Sequence, residues 1–146
     1  MFYHDDDLKD NEIFLRLVET REAIPEKLYV PAYIFDICIN DGTKVGELYL
    51  RIGHNRLVYY GGNIGYEIFK EYRGHNYAGK ACKIAYKQAK KHNMDYLIIT
   101  CKPENIASSK TCLYAGCEYI ETCDIPKDIE MYGQGYRTVM VYRINL

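Results

Sequence analysis

Between Gly65 and Lys91 the apolar period of the chain changes, and that change limits the folds open to it. Before it, Tyr33–Asn40 (YIFDICIN) alternates apolar and polar residues. After it, Ala78, Ala81, Cys82, Ala85 and Ala89 recur at helical spacing, with Lys80, Lys83, Lys87, Lys90 and Lys91 on the other side. A period of two marks half-buried strand and a period of 3.6 an amphipathic helix. A strand that runs into a glycine-bearing loop and then a helix must bury both against one core, which confines the chain to a mixed architecture. With 146 residues there is room for one such core, and no repeat, linker or low-complexity stretch divides it, so residues 1–146 read as a single domain.

The remaining pattern fills in the elements. Glu12–Glu19 reads as a first strand, and residues 20–31, holding Pro25 and Pro31, leave room for a turn of helix at most. Asp41-Gly42 joins Tyr33–Asn40 to a partner strand, Lys44–Ile52, as a hairpin. Val58–Tyr60 and Asn63–Phe69 suggest a third and fourth run of strand, with Gly61 and Gly62 at a turn or bulge. Asp95–Cys101 (DYLIITC) is a short apolar strand, and Asn105–Ala115 a second helix closed by Gly116. Tyr119–Ile125 and Tyr136–Ile144 complete the strands. The reading is α/β or α+β, with one helix crossing between neighbouring parallel strands.

Charge sorts the candidate functions. The net charge is −1, which points away from nucleic acid and membrane as partners. Locally the balance differs: residues 1–31 hold eight acids and four bases, whereas residues 70–91 hold seven bases and one acid, Glu71. The positive segment fits an anion site or a solvated helix face, and a nucleic-acid contact is a third reading. The chain opens on Met1-Phe2-Tyr3-His4 and three aspartates, unlike a signal or transit peptide, and no apolar run approaches a membrane span, so a cytoplasmic chain is expected. Six cysteines without C-x-x-C and four scattered histidines predict reduced thiols and no metal. Tyrosine supplies 16 of the 20 aromatic rings, either for a tyrosine-lined site or simply for packing.

The segment richest in chemistry is Gly65–Lys80 (GYEIFKEYRGHNYAGK). A helix N-terminus presents unpaired N–H groups and a positive dipole end, both suited to phosphate oxygens. Gly74 and Gly79 allow close backbone approach, and Arg73 and Lys80 add charge at either end of the loop. The pattern is neither a P-loop nor a Rossmann fingerprint. It fits a phosphate-bearing ligand or a plain strand–turn–helix.

Arg73–Ala78 (RGHNYA) resembles the R/Q-x-x-G-x-G/A pyrophosphate loop of the GCN5-related N-acetyltransferases. Asn105-x-x-Ser108, with Gly116 eleven residues after the Asn, resembles the same family's N-x-x-S helix and closing glycine. The resemblance spans roughly residues 30–123. It implies a twisted, mostly antiparallel sheet of six to seven strands with a central parallel pair, flanked by helices, and a site for acetyl-CoA. The amides of Gly74, His75, Asn76, Tyr77, Ala78, Gly79 and Lys80 would cradle the pyrophosphate, with Arg73 opening the loop. The backbone of Ile68 and Phe69 would pair with the pantetheine arm, and Asn105 and Ser108 would bond that arm or lie beside the thiol. The implied chemistry is direct acetyl transfer to an amine borne by a small molecule or a protein.

Three departures from the pattern matter. Asn76 stands where the family has Gly, although Asn is the non-glycine residue that best tolerates positive φ. Cys112 stands where the family has a general-acid Tyr; at ~100° per residue it shares the face of Asn105 and Ser108, and it reads as an acid or as a small buried hydrophobe. Residues 20–31 are too few for the helices that build the family's acceptor pocket, and the run Tyr59–Asn63 either lines the acceptor side in their place or, more simply, packs as strand. Glu67, just before the loop, is the candidate base, or else a surface residue paired with Lys70 or Arg73. A non-catalytic acyl-CoA-binding module is the alternative reading, and strand edges in 117–144 offer pairing for a homodimer.

Overall fold

The structure is a computed structural model describing residues 2–146. Two antiparallel sheets form its frame. The first runs β1 (Ile13–Arg21), β2 (Ala32–Ile39), β3 (Lys44–Arg51), β4 (Ile64–Ile68) in sequence order. The second orders β5 (Tyr96–Cys101), β7 (Thr138–Asn145) and β6 (Glu118–Asp124), with β7 central. The hairpin at Asp41-Gly42 forms as read: Gly42 has φ 93°, and Asp41 Oδ1 accepts from Thr43 N–H at 2.9 Å. Alternation on β2 buries Tyr33, Phe35 and Ile37 against Leu48 and Leu50 of β3.

The long helix α2 (Tyr77–Lys91) covers this apolar face. Its small residues Ala81, Cys82, Ala85 and Ala89 are all fully buried, so the helix lies close on the sheet. Its lysines meet the acidic N-terminal segment. Lys91 bonds Asp5 (2.7 Å) and Asp7 (2.9 Å), and Lys80 bonds Glu12 at 2.7 Å. The two opposite local charges of the sequence are thus partners within the chain.

Two expectations change. Val58–Tyr60 is not strand but part of a helix, α1 (Arg56–Gly61). Asn55 Oδ1 caps it at Val58 N–H (2.9 Å), Gly62 (φ 81°) ends it, and Leu57, Tyr59 and Tyr60 pack onto the cluster around Ile98 and Val141. Cap and packing override the strand preference of the triplet. The central pair is also not a ladder, because every paired strand is antiparallel. Instead β4 and β5 are fastened at one end by buried Asn63. Its N–H donates to Ile98 O (2.6 Å), and its Oδ1 accepts from Ile98 N–H (2.8 Å). Its Nδ2 donates to Arg51 O (3.0 Å) and Gly53 O (2.9 Å). Beyond this fastening no ladder joins the two strands, and β4 has a free edge. A short helix, α4 (Glu130–Gly133), lies between β6 and β7.

Candidate functional site

A cleft of about 500 Å³ opens along that free edge. Its walls are the end of β4 (Tyr66, Glu67, Ile68), the turn after it (Tyr72–Gly74), the start of α2 (Asn76–Ala78), and α3 (Ile106–Tyr114) with its cap Asn105. Backbone parity decides what β4 offers. Phe69 N–H donates to Val45 O at 2.9 Å, and bonded pairs alternate along an antiparallel ladder. With Leu48 opposite Tyr66 and Gly46 opposite Ile68, the N–H and C=O groups of Tyr66 and Ile68 therefore turn away from β3 toward the cleft. Arg73 Nε donates to the Ile68 carbonyl at 2.9 Å, tying the turn to the strand end.

The turn delivers the helix end to the same cleft. Gly74 (φ 95°) has open space where a Cβ would stand, and Asn76 adopts the left-handed φ of 59°. That conformation lets Asn76 replace a glycine. Lys80 N–H bonds Asn76 O at 3.0 Å, so the three preceding amides of Tyr77, Ala78 and Gly79 have no carbonyl one turn back. The Asn76 side chain does not cap them. Across the cleft Asn105 Oδ1 caps α3 by accepting from Ser108 N–H (3.0 Å), and Ser108 Oγ lies 2.7 Å from Tyr66 Oη.

Of the residues singled out in the sequence, Glu67, Ile68, Arg73, Gly74, Asn76, Tyr77, Ala78, Asn105 and Ser108 line this one cleft. Five others do not, each for a visible reason. Phe69 has its N–H in the ladder to Val45. His75 stacks on Tyr77 with ring centroids 5.1 Å apart. Gly79 is the close-approach point of α2 and α3: a Cβ there would meet the Tyr114 ring at 2.3 Å. Lys80 is engaged by Glu12. Cys112 is 1% exposed, and contact with Cys101 together with burial pushes its thiol up, so it stays protonated inside the core. Glu67 is exposed and paired in register with Glu47, on the strand face away from Ser108.

Tyr66 goes unmarked in the sequence, and Asn63 stands there only as a strand start and the end of the run Tyr59–Asn63. Tyr66 lines the cleft from β4, and burial pushes its phenol up although the bond to Ser108 pulls it down. Asn63 fastens the sheets. The only sequence signal for it was a polar residue between glycines and apolar strand; for Tyr66 it was alternation with Ile64 and Ile68. A second cavity, about 470 Å³, lies between α1, α4 and residues 21–32, with Arg51, Tyr29 and Glu130 on its wall. The run expected to line an acceptor pocket reaches it through Gly61, preceded by Leu57 and Val58.

Against this geometry, the model of the acetyltransferase (GNAT) domain matches residues 7–118. The chain belongs to the GNAT family. Solved structures agree in fold. A GNAT-family acetyltransferase from Bacillus anthracis superposes with TM-score 0.59 at 20% identity, over 77% of this chain and 65% of that one. A ribosomal-protein-S5-alanine acetyltransferase from Vibrio fischeri gives 0.61 at 18% identity, over 78% and 61%. A ribosomal L7/L12 alpha-N-protein acetyltransferase, in complex with coenzyme A, gives 0.66 at 12% identity, over 94% and 96%. This GNAT chain therefore spans under two thirds of the first two structures and nearly all of the third. No curated protein sequence matches it significantly.

Proposed function

We propose that this GNAT chain is an acetyl-CoA-dependent N-acetyltransferase that passes the acetyl group directly to an amine on a small molecule or a protein. One observation carries the reading: a single cleft has an open strand edge on one wall and an uncapped helix N-terminus on the other. The first suits a peptide-like arm and the second a pyrophosphate. In this reading the amides of Tyr77–Gly79, with Gly74 giving room, receive the phosphates. Tyr66 and Ile68 offer backbone groups to the arm, and the Asn105 amide closes over it from α3.

Transfer forms a C–N bond and breaks the acetyl C–S bond. The amine gives up a proton, for which Glu67 is the base on the outer strand face. The Ile68 N–H, pointing along the open edge, meets the negative charge that grows on the acetyl oxygen. Support for the family comes from the domain match; support for the cofactor's place comes from the cleft. Calorimetry with acetyl-CoA tests the binding step, and free-thiol release across an amine panel tests turnover. Saturable heat with thiol release is expected. Absence of heat at millimolar acetyl-CoA refutes the reading, and heat without release for any amine supports a non-catalytic acyl-CoA-binding module, which the burial of Cys112 would also suit.

A further inference from the structure

A departing thiolate needs a proton, and the cleft holds few groups able to give one. Cys112 is sealed in the core. Lys110 is exposed at the rim, Tyr72 lies on the turn with its ring packed against the core cluster and no hydrogen bond among the described residues holding its hydroxyl, and Tyr77 is stacked on His75. The hydroxyls of Ser108 and Thr111 are too weakly acidic to act without a stronger donor behind them. Tyr66 differs from all of these. It stands on the strand whose edge forms the cleft, its ring half-buried, its hydroxyl fixed at 2.7 Å from Ser108 Oγ and 3.4 Å from Ser108 O.

Strand geometry then separates two proton transfers. Neighbouring residues of a strand project to opposite faces. Tyr66 pairs with Leu48, which is 1% exposed, and so faces the core side with α3; Glu67 pairs with Glu47 on the outer side. An amine approaching the outer face would meet Glu67, while sulfur leaving on the inner face would meet the phenol.

Resting on the acetyltransferase reading, we infer that Tyr66 is the proton donor to the departing sulfur and that Ser108 is its positioning residue. At rest Tyr66 Oη–H reaches the Ser108 carbonyl at 3.4 Å; in the transfer Ser108 Oγ–H donates to Tyr66 Oη across the 2.7 Å contact, and the phenolic hydrogen turns from that carbonyl to the sulfur. As the acetyl C–S bond breaks, its electron pair stays on sulfur and takes the Tyr66 proton, giving the free thiol. The phenolate is reprotonated from water at the cleft mouth. The proton released by the amine leaves through Glu67 on the other face. Burial favours the neutral phenol before the step.

The test uses the full chain and the amine turned over fastest in the thiol-release panel. Tyr66→Phe keeps the ring and loses the hydroxyl. It is expected to lower kcat by about 100-fold, with the acetyl-CoA KM changed less than threefold and the thermal midpoint unmoved. Ser108→Ala, which leaves the phenol in place but unheld, loses less kcat than Tyr66→Phe. 3,5-Difluorotyrosine installed in place of Tyr66 restores most of kcat and moves the alkaline limb of the rate profile to lower pH, which a packing role would not do. A Tyr66→Phe kcat within threefold of the parent overturns the inference, as does an alkaline limb unmoved by fluorination. A parent chain that binds acetyl-CoA but releases no thiol overturns the donor role while leaving the cofactor site standing. A chain that binds no acetyl-CoA overturns the acetyltransferase reading itself.

Discussion

Replacing Asn63 with Ala tests how the two sheets are joined. The side chain is fully buried and makes three hydrogen bonds, to Ile98 N–H, Arg51 O and Gly53 O. Truncation strands those three backbone groups away from water, and each stranded buried group costs about 1–3 kcal/mol. Partial relaxation of the loop at Gly53 reduces the sum, which places the loss near 4 kcal/mol, at the upper end for a single substitution. Unfolding entropy of about 2.1 cal/mol/K per residue gives ~0.3 kcal/mol/K for 146 residues. The thermal midpoint should therefore fall by about 13 °C. Asn63→Asp should do no better, because it keeps the acceptor for Ile98 but turns an oxygen toward the carbonyls of Arg51 and Gly53. Asn40→Ala is the control, since Asn40 is exposed and makes one side-chain bond, to Asn11 O at 2.9 Å. Melting followed by circular dichroism reads all three. A fall under about 3 °C for Asn63→Ala, or one no larger than the control's, would refute the role assigned to this residue.

Gly79→Ala should destabilise by about 1–2 kcal/mol because the new Cβ displaces the Tyr114 ring, and in a Tyr114→Ala background it should become stabilising by the helix preference of Ala; a double-mutant cycle in urea measures the coupling. Among the six cysteines only Cys123 is partly exposed, so a thiol reagent should label it first and reach Cys112 only on unfolding, as peptide mapping would show. Burial holds His92 below its ordinary value of 6.5, with Tyr33 Oη 2.6 Å from its Nε2. The unfolded chain then binds the extra proton first, so this contribution to stability is lost as pH falls through 6.5. Melting midpoints at pH 7.5 and 5.5 should differ less in His92→Gln than in the parent.

Local features were legible in the sequence because local physics decides them. Asp41-Gly42 made its hairpin, the alanine face of α2 went inward, and Asn76 took the positive φ that its residue type tolerates. The misreadings arose where a distant contact decides. Val58–Tyr60 has strand preference, yet Asn55 caps it as helix and the Ile98 cluster holds it. Lys80 sits in a binding motif, yet Glu12 claims its side chain from elsewhere in the chain, while Gly79 brings only its amide to the helix end because Tyr114 closes over its other side. The motif puts Ile68 and Phe69 on the open edge, and strand parity keeps Ile68 there but replaces Phe69 with Tyr66. Tyr66 and Ser108 are 42 residues apart, and only the placing of α3 beside the free edge of β4 brings their hydroxyls together. Sixteen tyrosines hid that one in plain composition.

The most direct test of the central claim is a titration of the isotopically labelled chain with acetyl-CoA, followed by amide NMR shifts. The account predicts saturable shifts at Tyr66 and Ile68, across Arg73–Gly79, and at Asn105–Ser108, with little change around Arg51 and Glu130 in the second cavity. Shifts centred on that second cavity, or none at millimolar acetyl-CoA, would contradict it.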